Sequence, residues 1–300
     1  MDVRRSGLVV LAVLLAGCAV SPPPGSVATT PLPTGVVTVI PTGRESTTPA
    51  SSPTTSVPSA PASSPTSSGS PTAPQPTTCA KPASGFVRAA PGKGKTVALT
   101  FDDGPGPADL AIVQILDRYG IHATFFETGA HAAASPAIVK LLAAHGELIA
   151  DHSWDHRYPS RVAGGWTKGY LHGQFQRTNR ELRTLTGAPV CFVRPPGGFQ
   201  QNVVPAAAKL GMTAALWSVD SLDWRQPSRT TAAATAAIVA NATATGGRRH
   251  PIVLMHSAKA SHESDLLVSP FRGNTVAALP AVIEWYRSHG YRFVTLGGAA

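Results

Sequence analysis

The chain has 300 residues and a formal net charge of +9, with 25 lysines or arginines against 16 aspartates or glutamates. A basic surface favours anionic partners, although plain solubility explains the charge equally well. Between residues 79 and 300 the basic residues are scattered, and the only adjacent pair is Arg248 and Arg249. No basic stripe is interleaved with aromatic residues, so the composition argues against nucleic acid as a partner.

The first residues predict export from the cytoplasm. Arg4 and Arg5 precede an uncharged run, Gly7 to Gly17, which is too short to span a bilayer and ends in small residues. Cys18 follows directly, and this junction resembles a bacterial lipobox. The resemblance implies a signal peptide over residues 1–17 and a lipid on Cys18 that holds the protein on the outer face of the cell membrane. The alternative is ordinary cleavage and a secreted product.

Residues 18–78 predict a disordered tether. They are rich in Ser, Thr, Pro and Ala and hold only two charges, Arg44 and Glu45, so they lack the apolar content to build a core. The extended reach of such a segment is on the order of 180 Å, at roughly 3 Å per residue. This reach would let an anchored domain search the cell wall, although a passive stalk would have the same composition.

Two cysteines remain once Cys18 is assigned to the lipid: Cys79 and Cys191. In an oxidising compartment such a pair favours a disulfide, which would close the first residues of the domain onto its middle. Two free thiols are the alternative, because disulfide formation depends on a Cα separation that sequence does not contain.

Residues 79–300 have the size of one α/β domain. Apolar runs alternate with helical periodicity, which predicts a parallel sheet, either an open wound sheet or a barrel. The predicted strands are 96–101, 121–126, 147–150, 190–193, 213–219, 251–255 and 291–296. The predicted helices lie near 107–119, 135–145, 168–186, 200–210, 229–243 and 275–289.

Polar residues at the ends of the predicted strands favour the barrel. In a (β/α) barrel the carboxyl ends of all strands meet on one face, and that face carries the chemistry. The polar groups that follow strands are Asp102 and Asp103, Asp151 to His156, Arg194, Asp220 to Trp224, and His256. The sequence therefore predicts an α/β fold, a distorted (β/α) barrel of about seven strands, with one site built from five distant segments.

Two histidines and two aspartates in these segments indicate a metal site. His152 and His156 are four residues apart, a spacing that on a helical turn places both imidazoles within about 5 to 6 Å. Together with a carboxylate from another strand they form a facial ligand set for a divalent ion. Side chains alternate across a strand, so of Asp102 and Asp103 one can hold the metal while the other stays free as a base. A turn in which aspartate caps the next helix is the alternative.

Five motifs occur in a fixed order: Thr100-Phe-Asp-Asp-Gly104, His152-Ser-Trp-Asp-His156, Arg194-Pro-Pro-Gly-Gly198, Trp217-Ser-Val-Asp-Ser-Leu-Asp223-Trp224 and Ile252-Val-Leu-Met-His256. Together they resemble the polysaccharide deacetylases of the NodB-homology type, carbohydrate esterase family 4. The resemblance covers nearly the whole domain, from Thr96 to Leu296. It implies the distorted barrel of that family for residues 79–300.

The resemblance also implies a ligand set and a base. Asp103, His152 and His156 would bind one divalent metal ion, and Asp102 would be the general base. Arg194 would pair with Asp102 and hold it ionised. Zinc is the default ion for one carboxylate and two imidazoles, with cobalt or manganese able to substitute.

Further roles follow from the same resemblance. His256 would be the general acid, with Asp223 tuning its charge, and the backbone N–H of Gly197 would bind the oxyanion. Trp224 and Leu254 would line the pocket for the acetyl methyl group.

Three positions depart from the family pattern. Gly197 stands where a tyrosine is usual, so we expect a side-chain wall of the substrate groove to be lost. Asp151 and Arg157 flank the second motif where asparagine and proline are common. Asp151 would either orient a ligand histidine or lie in a surface loop.

We expect a monomeric hydrolase that removes acetyl groups from N-acetylated cell-wall polysaccharide. Peptidoglycan is the first choice because the lipid anchor would place the enzyme beside it. Chitin-type oligosaccharides come second and acetylated xylan third.

Three rival classes share part of this pattern. Iron(II) oxygenases also use two histidines and a carboxylate, but usually on an all-β scaffold. A glycosidase needs two carboxylates on opposite sides of the bond, about 5 Å or more apart, which adjacent aspartates fit poorly. A non-catalytic wall-binding lipoprotein would not need the base, the acid and all three ligands together.

Overall fold

The structure is a computed structural model that describes residues 75–300. The predicted signal peptide, the predicted lipid anchor Cys18 and the tether up to residue 74 lie outside the described residues. At the end of the predicted tether, the Gln75 side-chain amide donates a hydrogen bond to the carbonyl oxygen of Glu147 (2.6 Å). Across residues 75–300 we find no helix with the length and apolar character that crossing a membrane requires.

Parallel strands form a single sheet. Their order is β5-β4-β3-β2-β1-β7-β6, and β8 pairs with the beginning of β1. The bounds are β1 Thr96–Asp102, β2 Thr124–Glu127, β3 Leu148–Asp151, β4 Phe192–Val193, β5 Thr213–Ala214, β6 Val219–Asp220, β7 Ile252–His256 and β8 Arg292–Phe293.

Helices connect most of these strands, as the alternation of patterns predicts. Their bounds are α1 Ala108–Tyr119, α2 Gly129–Ala134, α3 Pro136–Ala144, α4 Lys168–Thr186, α5 Val203–Ala208, α6 Ala232–Ala242 and α7 Gly273–Ser288. The longest, α4, begins where the Thr167 hydroxyl accepts a hydrogen bond from the Tyr170 N–H (3.1 Å) and ends at Gly187 in the left-handed conformation. Both are common helix boundaries, because the hydroxyl satisfies a free N–H and glycine adopts positive φ without strain.

Strand β1 lies near the centre of the sheet and is buried at every position, with β2 on one side and β7 on the other. Successive side chains of β1 enter different hydrophobic clusters. Leu99 and Phe101 pack in the larger cluster with helix residues such as Ile112, whereas Ala98 packs with Ala150 in a smaller one. Burying each large side chain contributes about 2 kcal/mol, so this strand anchors the domain.

The strand expected at 213–219 is instead two short strands, β5 and β6, at opposite edges of the sheet. Between them the backbone crosses from one edge to the other. The Ala215 N–H donates to the Val193 carbonyl oxygen (2.8 Å) beside β4, and the Ser218 N–H donates to the Ile252 carbonyl oxygen (3.0 Å) on β7. This crossing brings the two edges together, so the sheet is curled into the predicted distorted barrel.

The sequence pattern does not predict the short helix α2. It lies between β2 and α3 and begins at Thr128, whose hydroxyl accepts from the His131 N–H (3.4 Å). Ser135 alone separates it from α3, which begins at Pro136, a position where the missing N–H of proline costs no hydrogen bond. A disulfide joins Cys79 to Cys191 and so ties the start of the domain to the residue before β4.

Candidate active site

Asp102 and Asp103 lie at the carboxyl end of β1. Asp102 still belongs to the strand and is in register with His256 on β7. Asp103 belongs to the following turn and has a φ of 72°, a left-handed conformation that non-glycine residues seldom adopt. Because the backbone changes direction between them, the two buried carboxylates make different contacts.

Asp103, His152 and His156 form a compact group of donors. Asp103 Oδ1 lies 3.2 Å from His156 Nε2 and 3.5 Å from His152 Nε2, and all three side chains are buried. Among the described residues Asp103 Oδ1 has no hydrogen-bond partner. Burying a carboxylate oxygen without a partner is costly unless a cation is near. One carboxylate and two imidazoles converging in this way therefore fit a divalent metal ion.

The ionisation of Asp103 and His156 matches that of metal ligands. Burial by itself would raise the pKa of the Asp103 carboxyl, but attraction to the neighbouring imidazoles of His156 and His152 outweighs burial and holds that pKa below its ordinary value. Burial lowers the pKa of His156 to about 3. A carboxylate and a neutral imidazole are the forms in which these side chains bind metal.

The segment that carries the two histidines is an irregular loop and not the helical turn that the four-residue spacing predicted. Ser153 and His156 both have positive φ, 67° and 56°. The two imidazole centroids nevertheless lie 4.8 Å apart. The Ser153 hydroxyl accepts from the His156 N–H (3.1 Å), and Asp151 Oδ1 accepts from the Ser153 N–H (2.7 Å), so two side chains fix the loop.

Asp151 is fully buried, so the alternative of a surface loop is wrong. Its contact is with the backbone of the loop; the ring of His152 is oriented by another group. His152 Nδ1 lies 2.8 Å from the carbonyl oxygen of Arg194, and this contact leaves Nε2 directed at Asp103. A backbone carbonyl at Nδ1 fixes the tautomer in which Nε2 is a metal ligand.

Arg194 and Asp102 form a buried ion pair behind the ligand set. Arg194 Nη1 donates to Asp102 Oδ1 (2.6 Å) and to the Thr100 hydroxyl (2.9 Å), and the guanidinium carbon lies 4.1 Å from the centre of the Phe126 ring. The other oxygen, Asp102 Oδ2, lies 3.6 Å from His152 Nε2. Arg194 thus engages one oxygen of Asp102, and the second oxygen borders the donor atoms of Asp103, His152 and His156.

His256 and Asp223 form a second pair across the cavity. Asp223 Oδ1 lies 2.7 Å from His256 Nδ1, while Oδ2 accepts from the His256 N–H and from the Thr275 hydroxyl, both at 2.8 Å. Burial lowers the pKa of His256, but the negative charge of Asp223 outweighs burial and raises that pKa to about 9. At neutral pH His256 is therefore a cation whose Nε2 remains available for proton donation.

These groups border one cavity of about 310 Å³. Asp102, Asp103, His152, His156, His256, Gly197, Trp224 and Leu254 all line it. Arg194 and Asp223 lie behind the carboxylate and the imidazole that they contact. The structure thus brings together side chains from five distant segments of the sequence.

Sequence reasoning does not single out the lining residues Tyr158, Phe199, Glu263 and Val268, and it assigns no role to Trp217 and Asp220 of the fourth motif. Tyr158 and Phe199 each follow a motif by one or two positions, so proximity to a motif was the available signal. Glu263 lies in a segment with no pattern of its own, and its contact with the Tyr158 hydroxyl is visible only in three dimensions.

The wall expected to be lost at Gly197 is replaced by two other aromatic rings. A Cβ atom at Gly197, which has a φ of 58°, would lie 2.9 Å from Tyr158 Cε1 and 3.1 Å from Phe199 Cε2. The space beside Gly197 is therefore already filled. Phe199 is 44% exposed and stands beside Tyr158 (centroids 5.5 Å apart), so an aromatic surface borders the cavity.

Gly104 lies against a buried acidic side chain, and this contact gives a testable consequence. A Cβ atom there would lie 2.6 Å from Glu127 Oε2 and 2.7 Å from Ser257 Oγ. We expect Gly104→Ala to lower the free energy of unfolding by about 1–3 kcal/mol and to reduce activity, because the clash would displace the Asp102–Asp103 turn. Thermal unfolding and turnover of the variant test this.

Gly173 provides the matched control, since it lies inside α4 and a Cβ atom there meets nothing within 4 Å. Gly173→Ala should leave activity unchanged and raise stability by about 0.5–1 kcal/mol, because alanine has the higher helix propensity. Equal stability and turnover for Gly104→Ala and Gly173→Ala would contradict the tight contact at Gly104.

Comparison with known proteins assigns the family. The polysaccharide deacetylase family model matches residues 89–215. A chitooligosaccharide deacetylase from Sinorhizobium fredii is 31% identical over 212 residues, which cover 69% of this chain and 94% of the rhizobial protein. The peptidoglycan-N-acetylglucosamine deacetylase PgdA of Listeria monocytogenes is 30% identical over 203 residues, 67% of this chain but only 38% of the listerial protein.

The solved structures include a family 4 carbohydrate esterase from Streptomyces lividans in complex with acetate. It is similar to this chain with a TM-score of 0.55 and 27% identity, over 66% of this chain and 92% of that one. The chain belongs to the polysaccharide deacetylase family.

Proposed function

We propose that this chain is a metal-dependent hydrolase that removes acetyl groups from N-acetylglucosamine units of cell-wall polysaccharide. The observation that carries the proposal is the content of one cavity: a three-residue ligand set, a carboxylate paired to a buried arginine, and a histidine held protonated by an aspartate. Hydrolysis of an amide needs these three functions, because the amide is a weak electrophile and its amine is a poor leaving group. A non-catalytic binding protein would need none of them.

Asp103, His152 and His156 would hold the divalent ion, and zinc is the ion that this donor set fits best, with cobalt or manganese as substitutes. A bound ion of this kind polarises the acetyl carbonyl and lowers the pKa of water. Asp102 would accept the proton of the attacking water through Oδ2, while Arg194 Nη1 donates to Oδ1 and holds the carboxylate in place.

The other wall of the cavity completes the reaction. His256 gives its proton to the departing amine, and Asp223 keeps that proton in place until then. The N–H of Gly197 is the backbone donor that we assign to the developing oxyanion. Trp224 and Leu254 offer apolar surface to the acetyl methyl group.

Peptidoglycan is our first choice of substrate, chitin-type oligosaccharides the second and acetylated xylan the third. The family relatives named above act on the first two classes. The test is acetate release from N-acetylglucosamine oligomers, peptidoglycan and acetylated xylan, measured with the full-length chain. Release from an N-acetylated substrate supports the proposal. The relative acetate release from the polymers then ranks them as substrates. Release from xylan alone would contradict it, and release from none would favour a binding role.

We propose that the enzyme acts as a monomer, because one chain supplies every residue of the site.

We further propose that the enzyme is anchored by a lipid on Cys18 at the outer face of the cell membrane. The support is the pattern of Arg4, Arg5, the uncharged run and the small residues before Cys18. Changing Cys18→Ser should move the protein from the membrane fraction to the soluble or secreted fraction, as read by fractionation and immunoblotting. Ser21→Ala is the matched control and should remain with the membrane. A Cys18→Ser protein that stays in the membrane fraction would contradict the anchor.

A further inference from the structure

A second groove opens beside the active-site cavity. It encloses about 590 Å³ and shares Trp217 and Asp220 with that cavity. Its other side chains are mostly basic: Arg88, Arg248, Arg249 and His250, with Ala89 and Ser218 between them. The adjacent pair Arg248 and Arg249, which stood out in the sequence, therefore lies on a surface that is continuous with the proposed site of reaction.

Rigid backbone holds the two basic segments together. The Ala90 N–H donates to the carbonyl oxygen of His250 (2.9 Å), which ties the segment of Arg88 to that of Arg249. Arg248 Nη1 donates to the Thr245 carbonyl oxygen (2.7 Å). The arginines are thus presented from fixed main chain, which reduces the entropy that a ligand would have to remove on binding.

The arginines of this groove have no ion-pair partner in the part of the chain that the structure describes. Arg88, Arg248 and Arg249 are all exposed. Asp220 is the carboxylate of the groove, and it lies at the junction with the active-site cavity. The end of the groove away from the active site is therefore positive, where an anion would be attracted.

Trp217 forms the boundary between the groove and the active-site cavity. A Cβ atom at Gly198 would lie 2.7 Å from Trp217 Cη2, so the ring packs edge-on against the loop that contains Gly197. The indole is half-buried and lines both spaces. A sugar ring can pack on the apolar face of such an indole, while a polar group contacts the edge of the indole ring.

We propose that this groove is a binding subsite for anionic groups on the polysaccharide whose acetylated sugar occupies the active-site cavity. The inference rests on the proposed deacetylase function. The guanidinium groups of Arg88, Arg248 and Arg249 bind carboxylate or phosphate oxygens, which match their planar fork of donors. The anion has two sources: carboxylates on the glycan strand itself, as in the peptide-bearing sugars of peptidoglycan, or phosphates of a wall polymer linked to it.

The test compares Arg248→Gln/Arg249→Gln with the wild-type full-length chain. We expect KM for peptide-bearing glycan strands to rise about threefold to tenfold with kcat unchanged, the range for losing two exposed charge contacts. KM for neutral N-acetylglucosamine oligomers should stay the same. Arg88→Gln, which keeps the Arg248 contact with Thr245, should show the same selective effect at smaller size.

Arg180→Gln/Arg183→Gln is the matched control, because it removes two charges from α4 in a groove that shares no residue with the active-site cavity. This variant should behave as wild type. An equal KM change in the control, an equal change on neutral oligomers, or no change on anionic strands would each overturn the subsite.

Two further experiments are needed. The first distinguishes the two sources of the anion, and the second tests the anionic subsite independently of the proposed deacetylase activity. If glycan carboxylates are bound, the rise in KM of the Arg248→Gln/Arg249→Gln variant persists on strands freed of phosphate polymers. If phosphate is bound, the rise in KM disappears on those strands, and poly(glycerol phosphate) competes with the untreated strands.

Co-sedimentation with insoluble peptidoglycan measures binding without turnover. Weaker sedimentation of Arg248→Gln/Arg249→Gln than of the control supports the subsite even if the wild type releases no acetate, and equal sedimentation overturns it.

Discussion

Replacing Asp102 by asparagine should lower acetate release by a factor of about 10² to 10⁴ while the bound metal stays near its wild-type amount, since a general base contributes a factor of this size. The amide oxygen can still accept from Arg194 Nη1, but it cannot take a proton from water. Because the Arg194 charge would lose its buried partner, a stability loss of about 3–5 kcal/mol is expected as well. Turnover, metal analysis and thermal unfolding of the same preparation separate these effects.

The neighbouring aspartate is the matched control for that experiment. Asp103→Asn removes the carboxylate that lies 3.2 Å from His156 Nε2 and 3.5 Å from His152 Nε2. This variant should lose metal and activity together. If Asp102→Asn lost the metal and Asp103→Asn retained it, the roles of the two aspartates would be reversed.

Removing the carboxylate beside His256 should shift the alkaline limit of activity to lower pH. Burial lowers the pKa of His256, and Asp223 raises it to about 9, so the protonated acid is present below that value and is lost as the pH rises through it. In Asp223→Asn burial acts without the compensating charge, so the pKa should fall below the ordinary value near 6.5. At pH 8 we expect activity to drop at least about tenfold, and less at pH 6.

The measurement is the pH profile of kcat for wild type and Asp223→Asn. Asp220→Asn serves as the control, because Asp220 lines the same cavity without a hydrogen bond to His256. Its alkaline limit should move much less. An alkaline limit that stays in place in Asp223→Asn would show that His256 is not the acid, or that Asp223 does not set its charge.

Much of the fold was predictable because parallel strands here are short apolar runs with polar residues at their ends. The central strand β1 differs from its prediction by one residue at its carboxyl end. The division of 213–219 into β5 and β6 was not predictable, since an apolar run does not reveal that its two halves pair with opposite edges. The His152–His156 spacing predicted proximity correctly and the conformation wrongly, because two non-glycine residues there have positive φ.

The sequence motifs predicted which of their own residues lie together in the site. They did not predict contacts between residues of separate loops. The convergence of Asp103, His152 and His156 follows from strand ends meeting on one face. The filling of the space at Gly197 by Tyr158 and Phe199 required the packing of side chains from separate loops. The burial of Asp151 and its hydrogen bond to the Ser153 N–H likewise depend on tertiary structure, as does the basic groove beside Trp217.

The central claim is that the Asp103, His152 and His156 set holds one ion that the reaction requires. The most direct test strips the full-length chain with chelator and titrates it with zinc while acetate release from N-acetylglucosamine oligomers is recorded. We predict that activity disappears on stripping, returns in proportion to added zinc and is complete at one ion per chain. Acetate release that survives stripping, or one bound ion per chain with no release, would contradict the account.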